Sequence, residues 1–232
     1  MNLLNDIKDF FFPRHCVCCG RKLLTGEHTV CLACQVELPR THISGQPGSA
    51  LEKSFWGCFP IERAASLFYY HKGGIEAQIL YAMKYHGHRL ACLQMGKEMA
   101  YEFRSHGFFD GVDYIVPIPL HKERLRQRGY NQSELLAEGI SSVIQIPLCT
   151  DAVQRVHNNA TQTHKSGYER WNNVSGLFVS TPLAVRLKDK HILVVDDVLT
   201  TGATIVSFCD ALSQIEGLRI SVATLAWARN WI

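Results

Sequence analysis

The sequence contains no run approaching the ~18 consecutive apolar residues that a membrane-spanning helix needs, so no such helix is expected. Its first residues, MNLLNDIKDFFF, also lack the unbroken apolar stretch of a secretory signal, because Asp6, Lys8 and Asp9 interrupt it; a cytoplasmic location is expected. Charge of one sign is scarce. Against 24 Lys and Arg stand 21 Asp and Glu, a net +3 with the 11 histidines neutral, which is too small an excess to form a nucleic-acid surface by itself. Any anion site must therefore be local. The phosphate-binding pattern GxxxxGK[ST] is missing, as are internal repeats and low-complexity tracts. What remains is an ordinary globular composition, 47% apolar and 19% charged over 232 residues. At about 150 residues per domain, this fits one sizeable core with a small appendage.

The appendage is expected at the N-terminus. Residues 1–45 hold five of the nine cysteines and few apolar runs, so the segment needs a staple to fold. Cys16 and Cys19 are spaced CxxC, Cys31 and Cys34 repeat that spacing, and eleven residues separate the pairs. Two such knuckles suit a tetrahedral zinc ion, and a cytosolic chain more often uses close cysteine pairs for metal than for disulfides. The expectation is a structural zinc site on Cys16, Cys19, Cys31 and Cys34. Cys18 and His15 lie in the same turn and compete for a place in that set. Buried thiols or a redox CxxC are the alternatives. Cys58, Cys92, Cys149 and Cys209 are isolated and read as core residues.

Thr41 to Ser54, with its SGQPGS stretch, reads as a flexible connection, which leaves residues 55–232 as the main domain. Within it, Ala64 to Tyr70 resembles a strand, and Gly74 to Met99 carries helical spacing broken near Gly87. Val112 to Pro119 is a short apolar run ending in prolines, followed by helical spacing from Asn131 to Ile144. The run HILVV from His191 suits a strand buried on both faces. Ile205, Phe208, Leu212 and Ile215 mark a helix that Gly217 ends, and Ile220 to Ala226 is a further strand. Strands alternating with helices imply an α/β fold with a mostly parallel sheet flanked by helices.

The most informative stretch is HILVVDDVLTTGAT, from His191 to Thr204. A buried strand carries Asp196 and Asp197 to the carboxyl edge of the sheet, where ligands of open α/β sheets bind. Two adjacent carboxylates repel unless hydroxyls, a divalent cation or helix-terminal amides satisfy them. Thr200, Thr201, Gly202, Ala203 and Thr204 then form a small hydroxyl-bearing turn whose backbone N–H groups can converge on a phosphate. The competing reading is plainer: the aspartates cap the next helix and the threonines form an ordinary turn.

VVDDVLTTGAT resembles the phosphoribosyl-pyrophosphate signature of type I phosphoribosyltransferases. The resemblance implies that Asp196 and Asp197 bind the ribose hydroxyls and that Thr200 to Thr204 hold the 5′-phosphate. VPIPLHKERLRQRGYNQSELLA, from Val116 to Ala137, with Arg155, Gln162, Arg170, Asn173 and the four-cysteine module, resembles the ComF family. ComF-like proteins are associated with DNA uptake in natural competence, which would make DNA-uptake proteins partners, and their enzyme relatives resemble amidophosphoribosyltransferases.

Lys122, Arg124, Arg126 and Arg128 form a cationic cluster after the VPIP strand end, opposed only by Glu123. From a second strand edge they can face the acidic turn and bind pyrophosphate, or they can form a solvated helix face. The polar run from His157 to Asn173 reads as mobile, with Lys165 and Arg170 as further pyrophosphate candidates, or as a surface loop without catalytic duty. With phosphoribosyl pyrophosphate as ligand, chemistry at ribose C1 needs positioning and charge stabilisation, with magnesium suited to the oxygen ligands, and no covalent nucleophile. The acceptor is not readable from these residues. The other functional reading is a silent transferase fold serving as an interaction module in DNA uptake.

Overall fold

The computed structural model describes residues 13–85, 87–157 and 176–229. Residues 1–45 are expected to hold an N-terminal helix besides the zinc-binding module, and residues 1–12 of that segment lie outside the described residues. The chain builds α1 (Leu32–Glu37), β1 (Arg40–Ser44), α2 (Ala50–Lys53), β2 (Ala64–Tyr69), α3 (Ile75–Tyr85), α4 (Arg89–Phe103) and β3 (Tyr114–Pro117). It continues through α5 (Lys122–Arg128), α6 (Gln132–Ile144), β4 (Val153–Arg155), β5 (Phe178–Ser180), β6 (His191–Leu199), α7 (Ala203–Asp210) and β7 (Arg219–Trp227).

Five strands form one sheet in the order β1-β2-β7-β6-β3, in which β2, β7, β6 and β3 are parallel and β1 is antiparallel at the edge. The central strands are apolar along nearly their whole length because both faces are covered. Along β6, Leu193 and Val195 join one core with α3, α4 and α6, while Ile192 and Val194 join the other with α7, β4 and β5. This period of two divides one continuous apolar run between two buried layers. The expected mostly parallel α/β architecture is present. Among the described residues no helix is long and apolar enough to cross a membrane.

Two expectations need correction. Thr41 to Ser54 is no free connection: its first part is β1, in register with β2 through Arg40 opposite Phe68 and Ser44 opposite Ala65, and Thr41 Oγ1 donates to the Ser66 carbonyl. Composition suggested a loop, but Leu51 and Phe55 are buried, and buried Glu52 accepts from the Gly48 and Ala64 amides at 2.6 and 3.3 Å. Only the turn around Gly45 and Gly48, both at positive φ, keeps the conformation the composition indicated. The helix after Gly202 also ends early, at Asp210. Leu212, Ser213 and Ile215 continue it as tight turns bonded three residues back. The cysteine segment shares the main core, since Cys16, Leu23, Val30, Cys31, Cys34 and Leu38 pack into the α3/α4/α6 layer.

Helices α4 and α6 touch backbone to backbone. A Cβ at Gly96 would lie 2.1 Å from the Leu136 carbonyl oxygen, and one at Gly139 would lie 2.3 Å from that of Leu93. Neither carbonyl can swing away without breaking its helix. Gly139→Ala is therefore expected to lower the unfolding free energy by about 1–3 kcal/mol in urea titration, despite the better helix propensity of alanine. An unchanged or higher stability would mean that the helices do not meet this closely.

Candidate functional site

Strand β6 runs past its apolar stretch to Leu199, so Asp196 and Asp197 lie within the strand near its carboxyl end, with Asp196 opposite Thr224 of β7. They do not cap α7, whose N-cap is Gly202 (φ 74°) without a side-chain bond. Ser133 Oγ donates to Asp196 Oδ1 at 3.0 Å, and the Asp197 amide donates to the same oxygen at 2.9 Å. Lys84 Nζ of α3 lies 2.9 Å from Asp197 Oδ2. Burial, joined by the Asp197 charge, pushes the Asp196 carboxyl up to about 7, against the opposing pull of the Asp197 amide, Ser133 and Lys84. Burial alone would lower the Lys84 ammonium, but the two carboxylates outweigh it and hold it above its ordinary value.

RGYNQS, residues 128–133, positions these groups. Gly129, in the left-handed region at φ 77°, ends α5. Asn131 starts α6, its Oδ1 accepting from the Ser133 amide at 3.1 Å while its Nδ2 donates to the Ile118 carbonyl just past β3 at 3.0 Å. The Tyr130 hydroxyl and Gln132 Nε2 both donate to the Met83 carbonyl, at 2.6 and 3.3 Å. One turn thus ties β3, α3 and α6 together and sets Ser133 on Asp196.

These elements surround a cavity of about 450 Å³. Arg124 and Arg128, four residues apart on α5, line it; Lys122, though on the same helix, does not. The cluster of cations seen in the sequence is divided between faces of a helix. Arg155, at the end of β4, reaches the same cavity with its guanidinium 5.4 Å from the Phe178 ring centre. Burial, then Arg124, draws its basicity down, while Asp196 opposes them. Thr200 and Thr204 line the cavity, and Thr201 Oγ1 accepts from the Ala203 amide at 3.2 Å as part of the turn around Gly202. Lys165 and Arg170 lie outside the described residues. Lining cations Lys84, Arg124, Arg128 and Arg155 against Asp196 and Asp197 give 4 − 2 = +2 with both acids ionised. Such a cavity favours an anion that also offers hydroxyls to the acids.

Lys84 and Ser133 were missed by the sequence analysis. Lys84 left a signal, for it stands four residues after buried Leu80, where an apolar residue would continue the core row. Ser133 left none beyond its place in the ComF-like run.

At the other end of the chain, the sulfurs of Cys16, Cys19, Cys31 and Cys34 lie within 4.8 Å of one another, a set able to bind a metal ion such as zinc. A tetrahedral Zn–S site with bonds of about 2.3 Å separates its sulfurs by about 3.8 Å. Cys19 and Cys31 stand at 3.8 Å. The Cys31 amide donates to Cys16 Sγ at 3.3 Å and the Cys34 amide to Cys31 Sγ at 3.5 Å. Burial raises the Cys16 thiol, but amides of Cys31, Cys19 and Cys18 outweigh it and bring it to about 6. Cys18 is not one of the four, its thiol pushed up to about 12 by burial and the neighbouring Cys16, and exposed His15 pairs with Lys22 in a short bridge. Cys92, Cys149 and Cys209 are buried as expected; Cys58 is half-buried.

The Asp196 carboxyl gives the fold a measurable pH dependence. Its folded value, about 7, exceeds the ordinary 3.8, so between those values the folded chain holds a proton that the unfolded chain releases. Stability is expected to fall with rising pH across that window, by up to about 1.4 kcal/mol per unit, and to level off above it. Asp196→Asn is expected to flatten the slope in urea titrations at pH 5, 6, 7 and 8. An equally steep slope in that variant would assign the dependence to another group.

Residues 131–230 match the family described as phosphoribosyl transferase domain. Competence protein F of Haemophilus influenzae is 33% identical over 114 residues, 49% of this chain and 50% of that protein. DNA utilization protein YhgH of Escherichia coli K12 is 35% identical over 100 residues, 43% of each chain. Competence protein ComFC of Bacillus subtilis is 36% identical over 91 residues, 39% of this chain and 34% of that protein. The chain spans half or less of the length of these relatives. The acidic strand end, the turn after it and all of α6 fall within the matched residues, and the four-cysteine cluster precedes them: over residues 131–230 the chain is similar to the phosphoribosyl transferase domain, and it is similar in part to the competence F, ComFC and YhgH proteins.

Proposed function

We propose that this chain binds phosphoribosyl pyrophosphate and transfers its phosphoribosyl group to an acceptor, in the cytosol and in the service of DNA uptake. The observation that carries the reading is the cavity in which a desolvated carboxylate pair, a hydroxyl-bearing turn and cationic side chains meet. Asp196 and Asp197 accept hydrogen bonds from the ribose hydroxyls, and these bonds offset the burial and the mutual repulsion that together raise the Asp196 carboxyl. Thr200 and Thr204, with the turn amides ahead of α7, take the 5′-phosphate. Arg124, Arg128 and Arg155 face the pyrophosphate and neutralise the charge that grows on it as its bond to C1 lengthens. Lys84 pairs with Asp197 and holds it in place. The oxygen-rich acids suit magnesium, which would be held by them together with the ligand's own oxygens and would supply further charge stabilisation to the departing group. The association with DNA uptake rests on relatives named for competence and DNA utilization.

We further propose that Cys16, Cys19, Cys31 and Cys34 hold a structural zinc ion. It would tie α1 and the turn before it to the core they share with α4.

Titration calorimetry with phosphoribosyl pyrophosphate and magnesium is expected to show one site per chain. The double change Asp196→Asn, Asp197→Asn should weaken it at least tenfold, about 1.4 kcal/mol. Arg124→Ala with Arg128→Ala should weaken phosphoribosyl pyrophosphate far more than ribose 5-phosphate. A folded chain that gives no heat with phosphoribosyl pyrophosphate would refute the proposal. For the metal, elemental analysis should find about one zinc per chain, Cys31→Ser should lose it, and a chelator should lower the unfolding midpoint. Full stability without zinc would remove its structural role.

A further inference from the structure

Between the two cysteine knuckles stands an ion pair that the zinc reading above does not use. Arg21 Nη2 donates to Glu27 Oε1 at 2.8 Å. Exposed pairs of this kind contribute little by themselves, and the Arg21 side chain is 44% exposed. Glu27 is different. Its side chain is only 12% exposed, and it accepts the Leu32 amide at Oε1 and the Leu24 amide at Oε2, both at 2.7 Å. The Leu24 and Leu32 amides, with help from Arg21, hold the Glu27 carboxyl below its ordinary value against the opposing pull of desolvation.

These contacts converge on the metal-binding sulfurs. Leu32 follows Cys31 directly and opens α1, so its amide is one that no carbonyl within the helix can accept. Held by Glu27, it fixes the turn that presents Cys31, whose sulfur also accepts from the Cys34 amide at 3.5 Å. Arg14 and Arg21 flank the first knuckle: Arg14 Nη1 donates to the Glu27 carbonyl at 3.0 Å, and the Arg21 carbonyl accepts from the Cys16 amide at 2.8 Å. The Arg21 guanidinium also feels the second knuckle. Desolvation would lower its basicity, but the charge of Cys31 and then Glu27 outweigh it and hold it above its ordinary value. A zinc ion with four thiolates carries two negative charges in excess, and Arg21 is a cation set against them.

Resting on the zinc reading above, we infer that Glu27 and Arg21 work as one unit that tightens metal binding by the cysteine quartet. Glu27 positions and Arg21 neutralises. Glu27 holds the amide next to Cys31 and aims the Arg21 guanidinium, while Arg21 draws electron density from the Cys31 sulfur and offsets the charge that four thiolates gather. Without metal those thiolates repel one another, so the pair also lowers the cost of bringing them together. Neither residue belongs to the quartet itself, and both are positioning residues. Losing such partners of a metal's ligands weakens binding by about 10–100-fold.

Competition with a chromophoric chelator measures zinc affinity in the full chain. Cobalt in place of zinc reports the site's geometry through its d–d bands and sulfur donation through its charge-transfer band. Glu27→Gln and Arg21→Gln are each expected to weaken zinc about tenfold or more, with the tetrahedral d–d bands kept. The double variant should lose little beyond the larger single loss, as residues acting together do. Arg21→Gln should move the charge-transfer band to longer wavelength, and Arg21→Lys should recover part of the affinity by restoring the charge; a role in folding the loop alone moves neither. Where Glu27→Gln does not fold, Arg21→Gln still decides, because that side chain lies at the surface. A smaller loss in Arg21→Gln overturns the inference, as does a charge-transfer band that stays in place or a pair of losses that simply add. Each of these leaves the zinc reading standing, since the native chain still binds metal. A native chain that takes up neither zinc nor cobalt overturns both.

Discussion

Two carboxylates in sequence on one buried strand would repel each other and lose hydration together, and much of this fold is arranged around that conflict. Asp197 is matched by Lys84 from α3, and Asp196 by Ser133 from the start of α6 and by the amide of its own neighbour. The two side-chain partners sit on different helices. The carboxylate pair therefore depends on the register of α3 and α6 against β6, and that register is tied by Tyr130 and Gln132 to the last turn of α3 and by Asn131 to the end of β3. Even so, the conflict is only partly relieved, and the elevated Asp196 carboxyl is what is left of it. A site held at this tension gains by admitting hydroxyls or a cation that complete the set.

The backbone contact of α4 with α6 bears on the same point. Because Gly96 and Gly139 let these helices meet without side chains between them, α6 has little freedom to slide. Its first turn presents Ser133, and that turn also carries the cap that holds Ile118. Packing far from the cavity thus fixes an oxygen inside it. The cysteine quartet reaches the same layer through Cys34 and Leu38, which makes it a continuation of the core and not a bead on a string.

Much of this was legible in the residues. The central strands announce themselves as unbroken apolar runs, α3, α4 and α6 through helical spacing, and the cysteine quartet through its two knuckles. Asp196, Asp197, Thr200 and Thr204 reach one cavity from one contiguous motif, because a strand and the turn after it keep neighbours in sequence close in space. Lys84 reaches that cavity from more than a hundred residues away, through the parallel crossover, and no local pattern states such a distance. The four cations at 122–128 looked like one patch until the helix divided them. β1 was hidden for the opposite reason: its glycine- and proline-containing sequel suggested a loop, while the bonds that make it a strand come from β2.

The sheet also ends itself on both sides. At one margin β1 is five residues long, shifts register between Arg40 and Ile43, and turns His42 to a positive φ of 54°. At the other, β3 ends in Pro117, which has no amide to offer, and Ile115 is already engaged by the backbone of Pro147 and Cys149. Neither border offers a long straight row of open peptide groups, so copies of this chain are discouraged from zipping into a shared sheet. Assembly, where it occurs, has to be written in side chains.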